Sequence, residues 1–98
     1  MQDLRKKIFR SADAVTSSDG LSGRGVIFLK TEKDNYYGIR DELIEGGHFI
    51  YMGDTDFKTG SVLTYCGERY IVLAANRLQA FGKCFCSRGI LERVKGYE

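Results

Sequence analysis

A chain of 98 residues, 43% hydrophobic and 29% charged, is one domain near the small end of what folds without disulfide or metal staples. A net charge of +2 is too weak to announce a polyanion binder, although it leaves room for a local basic patch. No apolar run approaches the roughly 20 residues that span a bilayer, and MQDLRKKIF lacks the apolar core of a signal peptide, so the expected site of synthesis and assembly is a cytosol, with no membrane partner.

Six Tyr and six Phe, with no Trp, can fill a small core. Twelve glycines and no proline place chain reversals on positive-φ glycines, which favours a mainly β domain. From the amino terminus, Leu4, Ile8, Ala12 and Val15 recur at helical spacing, and Arg5, Lys6, Lys7 and Arg10 fall mostly on the other faces. Met1 to Val15 therefore reads as a short amphipathic helix, serving either as a cover for an open side of a sheet or as a basic docking arm. Thr16 to Gly25, TSSDGLSGRG, is loop by composition, and Val26 to Val94 forms the barrel.

Gly25 to Lys30, GVIFLK, is β-branched and aromatic, hence a strand. Thr31 to Asn35 is turn-like, and Tyr36 to Gly47 reads as an extended or irregular excursion. HFIYM at His48 to Met52 is the next strand, and GDTDFKTG the turn after it. Ser61 to Tyr65 and Arg69 to Ala75 are the arms of a hairpin turning at Cys66-Gly67-Glu68, with Gly67 supplying the positive φ of a tight turn. The second arm is apolar on both faces, as in a barrel or sandwich interior. Leu78 to Phe85 alternates as one long strand, with Gly82 marking a bulge. A break at Ser87-Arg88-Gly89 leads to a closing strand, Ile90 to Val94. The expected fold is a small five- to six-stranded β-barrel with a short N-terminal α-helix.

Chemistry-bearing patterns are sparse. Cys66, Cys84 and Cys86 read as small hydrophobes in strands, because Cys-x-Cys with the single His48 is not the spacing of a structural zinc loop. His48 paired with a cysteine lacks the setting of an ionised nucleophile. Asp54-x-Asp56 begins like a calcium loop, but the later glycine and glutamate are missing. Asp41, Glu42 and Glu45 are a solvated acidic run. These patterns leave the chain without an expected catalytic residue, metal or cofactor. Aromatics interleaved with lysines, Tyr36 and Tyr37 near Lys30 and Lys33, and Phe81 and Phe85 around Lys83, are what a nucleic-acid-binding barrel would use. They would equally fill a core.

The stretch IYMGDTDFKTGSVLTYCGERYIVLAAN, followed by a long alternating strand and a terminal ILERV, resembles the small head-closure, or head–tail connector, proteins of tailed bacteriophages and prophages. The likeness covers Phe49 to Val94 and lies in the order of turns and apolar strands. It implies a non-enzymatic β-barrel that assembles as a ring on the portal–adaptor complex. Such a protein is monomeric in solution before docking, meets tail-completion proteins, can touch packaged DNA, and ends up in the virion. Arg5, Lys6, Lys7, Arg24, Lys30, Lys33, Tyr36 and Tyr37 are the expected partner-binding positions, on the N-terminal segment and the loops Thr16 to Gly25 and Lys30 to Gly38. The alternative is a small β-barrel nucleic-acid-binding module.

Overall fold

The computed structural model describes residues 2–29 and 48–94. Its elements are β1 (Gln2–Asp3), α1 (Arg5–Ile8), β2 (Asp13–Ser17), β3 (Ser22–Leu29), β4 (Phe49–Gly53), β5 (Val62–Tyr65), β6 (Glu68–Ala80) and β7 (Lys83–Arg93). Six strands close a barrel in the order β2-β3-β4-β7-β6-β5, every neighbour antiparallel, with Thr16 facing Thr64 where β2 meets β5. The seventh, β1, lies parallel to the start of β7, with Gln2 opposite Lys83 and Asp3 opposite Cys84. The fold is thus the expected small β-barrel with a short N-terminal helix. Closure leaves few strand edges open to solvent.

The barrel interior holds Val15, Ile27, Tyr51, Phe57, Leu63, Tyr70, Val72 and Leu91. Ring edges meet faces there, Tyr51 with Phe57 at 5.2 Å and Phe49 with Tyr70 at 5.1 Å, an edge-to-face geometry that aromatic quadrupoles favour. So narrow a barrel needs bare backbone where walls meet. A Cβ on Gly25 would sit 2.5 Å from the Met52 carbonyl oxygen and 2.8 Å from Gly53 Cα. Outside, Phe28, Ile50, Ile90 and Ala74 align across β3, β4, β7 and β6, and Ile50 and Ile90 are fully buried within a second small apolar cluster.

The longest strands, β6 and β7, outrun the wall. Strand β5 pairs β6 only up to Ile71, and β4 pairs β7 only back to Ser87. Beyond these points the two strands continue as an arm to a turn at Phe81-Gly82, flanked among the described strands only by β1. Phe81 and Gly82 have φ of 53° and 71°. Both signs are positive, as a two-residue type I′ turn requires, and the position costs a non-glycine residue about 1–2 kcal/mol. The Cys66-Gly67 turn repeats this, with φ of 50° and 82°.

Several expected boundaries move. The helix is one turn, Arg5–Ile8, rather than Met1 to Val15. Leu4 gives it no side-chain cap, and Val15 is pulled into the barrel as the buried residue of β2. Most of Thr16 to Gly25 is strand, with the reversal confined to the residues between Ser17 and Ser22. Its glycines serve close wall contact as well as turning. Leu78 to Phe85 is a hairpin and not one strand, and the bulges lie at Leu73 and Phe85, where the β6–β7 register slips, instead of at Gly82. Strand β7 runs unbroken through Ser87-Arg88-Gly89, because Gly89 lies opposite Ala75 and under the Tyr51 ring. Cys84 and Cys86 are buried strand residues as expected, whereas Cys66 is exposed in its turn. The excursion at Tyr36 to Gly47 falls outside the described residues.

Candidate functional site

Two polar features lie near the amino-terminal segment. The first is internal. The Arg5 side chain, only 13% exposed, donates from Nε and Nη2 to the two Asp3 carboxylate oxygens at 3.0 and 2.7 Å. Its Nη1 reaches Ser87 Oγ at 2.8 Å and Asp56 Oδ1 at 3.1 Å. Ser87 Oγ donates to Asp56 Oδ1 at 2.6 Å, and Arg77 donates to Asp56 Oδ2 from Nε at 2.8 Å and from Nη2. This clasp ties β1 to the foot of the β6–β7 arm. It is held by charge-assisted and bidentate bonds, the stronger kind.

The clasp shifts its acids. The hydrogen bonds from the Arg5 side chain and backbone hold the Asp3 carboxyl well below the usual carboxylate range. At Asp56 partial burial pushes upward, yet hydrogen bonds from Arg77 and Ser87 and the Arg5 charge outweigh it, leaving the carboxyl below its ordinary value. Neighbouring Tyr51 is raised by burial, and its hydroxyl donates to the Thr55 carbonyl at 2.8 Å. Burial likewise pushes the Cys86 thiol up, which makes it a poor nucleophile. Among the described residues no three His, Cys, Asp or Glu side chains group as metal ligands.

The second feature is an open basin of about 430 Å³ lined by Lys6, Arg10, Ala14, Ser22, Gly23, Arg24 and Asp54. Arg24 is fixed from below, with Nη1 donating to the Ala12 carbonyl at 2.8 Å. The basin's one carboxylate is already engaged, because Asp54 Oδ1 accepts from the Arg24 backbone N–H and Thr55 Oγ1, each at 2.9 Å. Three cations against one satisfied carboxylate give the basin a positive field, suited to a phosphate or carboxylate group on a larger partner.

Among the expected partner-binding residues, Lys6 and Arg24 are brought together in this basin, across β3 and α1. Lys7 is an exposed residue of α1 outside the lining. Arg5 faces inward to the clasp, and Lys30, Lys33, Tyr36 and Tyr37 lie outside the described residues. Arg10 belongs to the basin too. Its four-residue spacing from Lys6 was the sequence signal that could have placed the two together. The clasp had no such signal, since Arg5 meets Asp56 and Ser87 across 51 and 82 positions.

No family model, curated protein or solved structure matches this chain.

Proposed function

We infer that the chain is a non-enzymatic structural protein of a tailed phage or prophage. It acts at the head–tail interface, most simply in head closure, and assembles as a ring on the portal–adaptor complex. The resemblance over Phe49 to Val94 points there, and that stretch folds as four strands adjacent in the sheet, β4, β7, β6 and β5. The observation that carries the reading is the β6–β7 hairpin, 13 and 11 residues long, which runs past the closed wall to a bare tip at Phe81, with β1 along its β7 edge and Cys84 and Cys86 buried on one face. Connectors work by presenting tips and edges to neighbours, and such an arm supplies both. Native mass spectrometry of the chain mixed with the portal–adaptor assembly encoded beside it tests this. Addition of a full ring is expected; a chain that stays unbound beside intact partners overturns it.

A nucleic-acid-binding module is the second reading, favoured by the basin's Lys6, Arg10 and Arg24. It requires duplex or single-stranded DNA to bind at low salt, with affinity falling steeply as salt rises. Lys6→Ala and Arg10→Ala should then each weaken binding and flatten the salt dependence. Absence of binding at low salt removes it.

A further inference from the structure

The tip of the β6–β7 arm breaks two rules at once. Phe81 is 97% exposed, where a large aromatic gains nothing from the fold, and it sits at φ 53°, where asparagine or glycine is the residue that fits. The Cys66 turn carries the same positive φ, so what sets this tip apart is the large aromatic left bare on a strained position, a combination that points to a use other than stability. At the arm's foot lies a cleft of about 210 Å³ whose lining includes Phe57, Ala75, Arg77 and Arg88. Phe57 is itself buried against Tyr51, so its ring is a fixed wall, and the rest of the lining includes Arg77 held by Asp56 and the buried Arg88 held by Asn76. Such a cleft suits one aromatic ring, which could stack edge-to-face on Phe57 and accept a cation from either arginine. The tip cannot reach the cleft of its own chain. Phe81 is five residues from Asn76 along β6, a span of about 16 Å, and pairing with β7 on both sides of the Phe85 bulge keeps the strand extended between them.

We propose that Phe81 of one copy inserts into the Phe57–Ala75–Arg77–Arg88 cleft of a second copy of this chain, and that this tip-to-foot contact joins the subunits of the ring. Knob and cleft are different surfaces of one molecule, so the contact is heterologous; it closes a ring when the rotation it repeats is a whole fraction of a turn with no rise. The proposal rests on the ring reading above and adds the residues that make it. It also explains why the arm is rigid. One wall of the cleft, Ala75 to Arg77 with Arg88, belongs to the same hairpin as the knob, so the spacing from that wall to the tip is set by the β6–β7 register. Asp56 and Phe57 of the β4–β5 connection form the other wall.

The test places a benzophenone photo-crosslinker at position 81, in the chain alone at millimolar concentration and in the ring on the portal–adaptor assembly. Peptide mapping is expected to find a cross-link between copies landing on Phe57 or on Ala75 to Arg77. Phe81→Asn should raise the melting temperature, because asparagine suits the turn, and yet abolish association. Ala75→Trp, which fills the cleft, should abolish association as well. Mixing these two variants should restore a one-to-one pair but no larger species, since each keeps the half the other lost. Rings without the cross-link, or with position 81 attached to a portal or adaptor protein, overturn the contact and leave the connector reading standing. Cross-linked copies that never engage the portal–adaptor complex overturn the connector reading and keep the contact. No cross-link in either setting overturns the proposal.

Discussion

The two hairpins of this barrel, turning at Cys66-Gly67 and Phe81-Gly82, share one local solution and serve different ends. Each puts a non-glycine residue and then a glycine at positive φ, and each lacks the asparagine that a type I′ turn prefers. The first joins β5 to the part of β6 that forms the barrel wall, where Leu63 and Tyr70 face each other in the core. The second ends an arm whose strands have left the wall, with Leu78 39% exposed and Phe81 almost bare. The first turn therefore only has to reverse the chain. The second also sets an aromatic ring where the fold itself has no use for it.

If that division is right, the two hairpins should differ most in what their apolar residues contribute. Leu63→Ala empties a fully buried site and should cost about 3 kcal/mol in urea unfolding. Leu78→Ala, on the arm, should cost under about 1 kcal/mol. A loss at Leu78 matching that at Leu63 would mean that the arm is packed on its Leu78 face as well as at Cys84 and Cys86.

The clasp offers a smaller test of where arm and barrel join. Asp56→Asn leaves Arg5 and Arg77 without their shared carboxylate at the arm's foot and should cost about 1–2 kcal/mol near neutral pH. Asp3 and Asp56 both have carboxyls below their ordinary values in the folded chain. Their contribution is therefore complete above the unfolded-state values near pH 4 and fades as pH falls through the lower folded ones. The gap between the parent chain and Asp56→Asn should shrink steadily below about pH 4. A gap unchanged in acid would assign the loss to packing.

The hairpin at Cys66-Gly67 was legible in sequence and the one at Phe81-Gly82 was not, for a physical reason. Apolar alternation has period two. A two-residue turn shifts the facing set by one, since Ala80 pairs with Lys83, and the bulge at Phe85 shifts it back, since Leu78 pairs with Cys86. That return takes effect only at Cys86, so the Leu78-Ala80-Gly82-Cys84 alternation is one of residue type and not of face, since Cys84 lies opposite Gln79. It reads as one strand only in the sequence. At Cys66 no bulge follows, and the charged Glu68-Arg69 pair interrupts the apolar run. Val15 failed differently: its helical spacing from Ile8 was real, but closure of β2 on β5 buries it completely, and tertiary burial outweighs the propensity of one uncapped turn. The basin was half legible, since Lys6 and Arg24 stood out as basic positions, while their meeting depends on β3 returning beside α1. The clasp could not be read at all, because its partners are joined only by the completed sheet.

The smallest effect separates a turn from a tool. Cys66→Asn puts a residue suited to positive φ into an exposed turn and should stabilise the chain by roughly 0.5 kcal/mol. Native thiol labelling should fall almost to nothing with it, because Cys84 and Cys86 are buried. Phe81→Asn relieves the same backbone strain and should stabilise by a similar amount, so thermal melts alone will not distinguish the two variants. Association will. The chain carrying Cys66→Asn should assemble as the parent does, while Phe81→Asn, equally well folded, should not. If both assemble alike, the strain at Phe81 is only a turn's, and the two hairpins are the same device used twice.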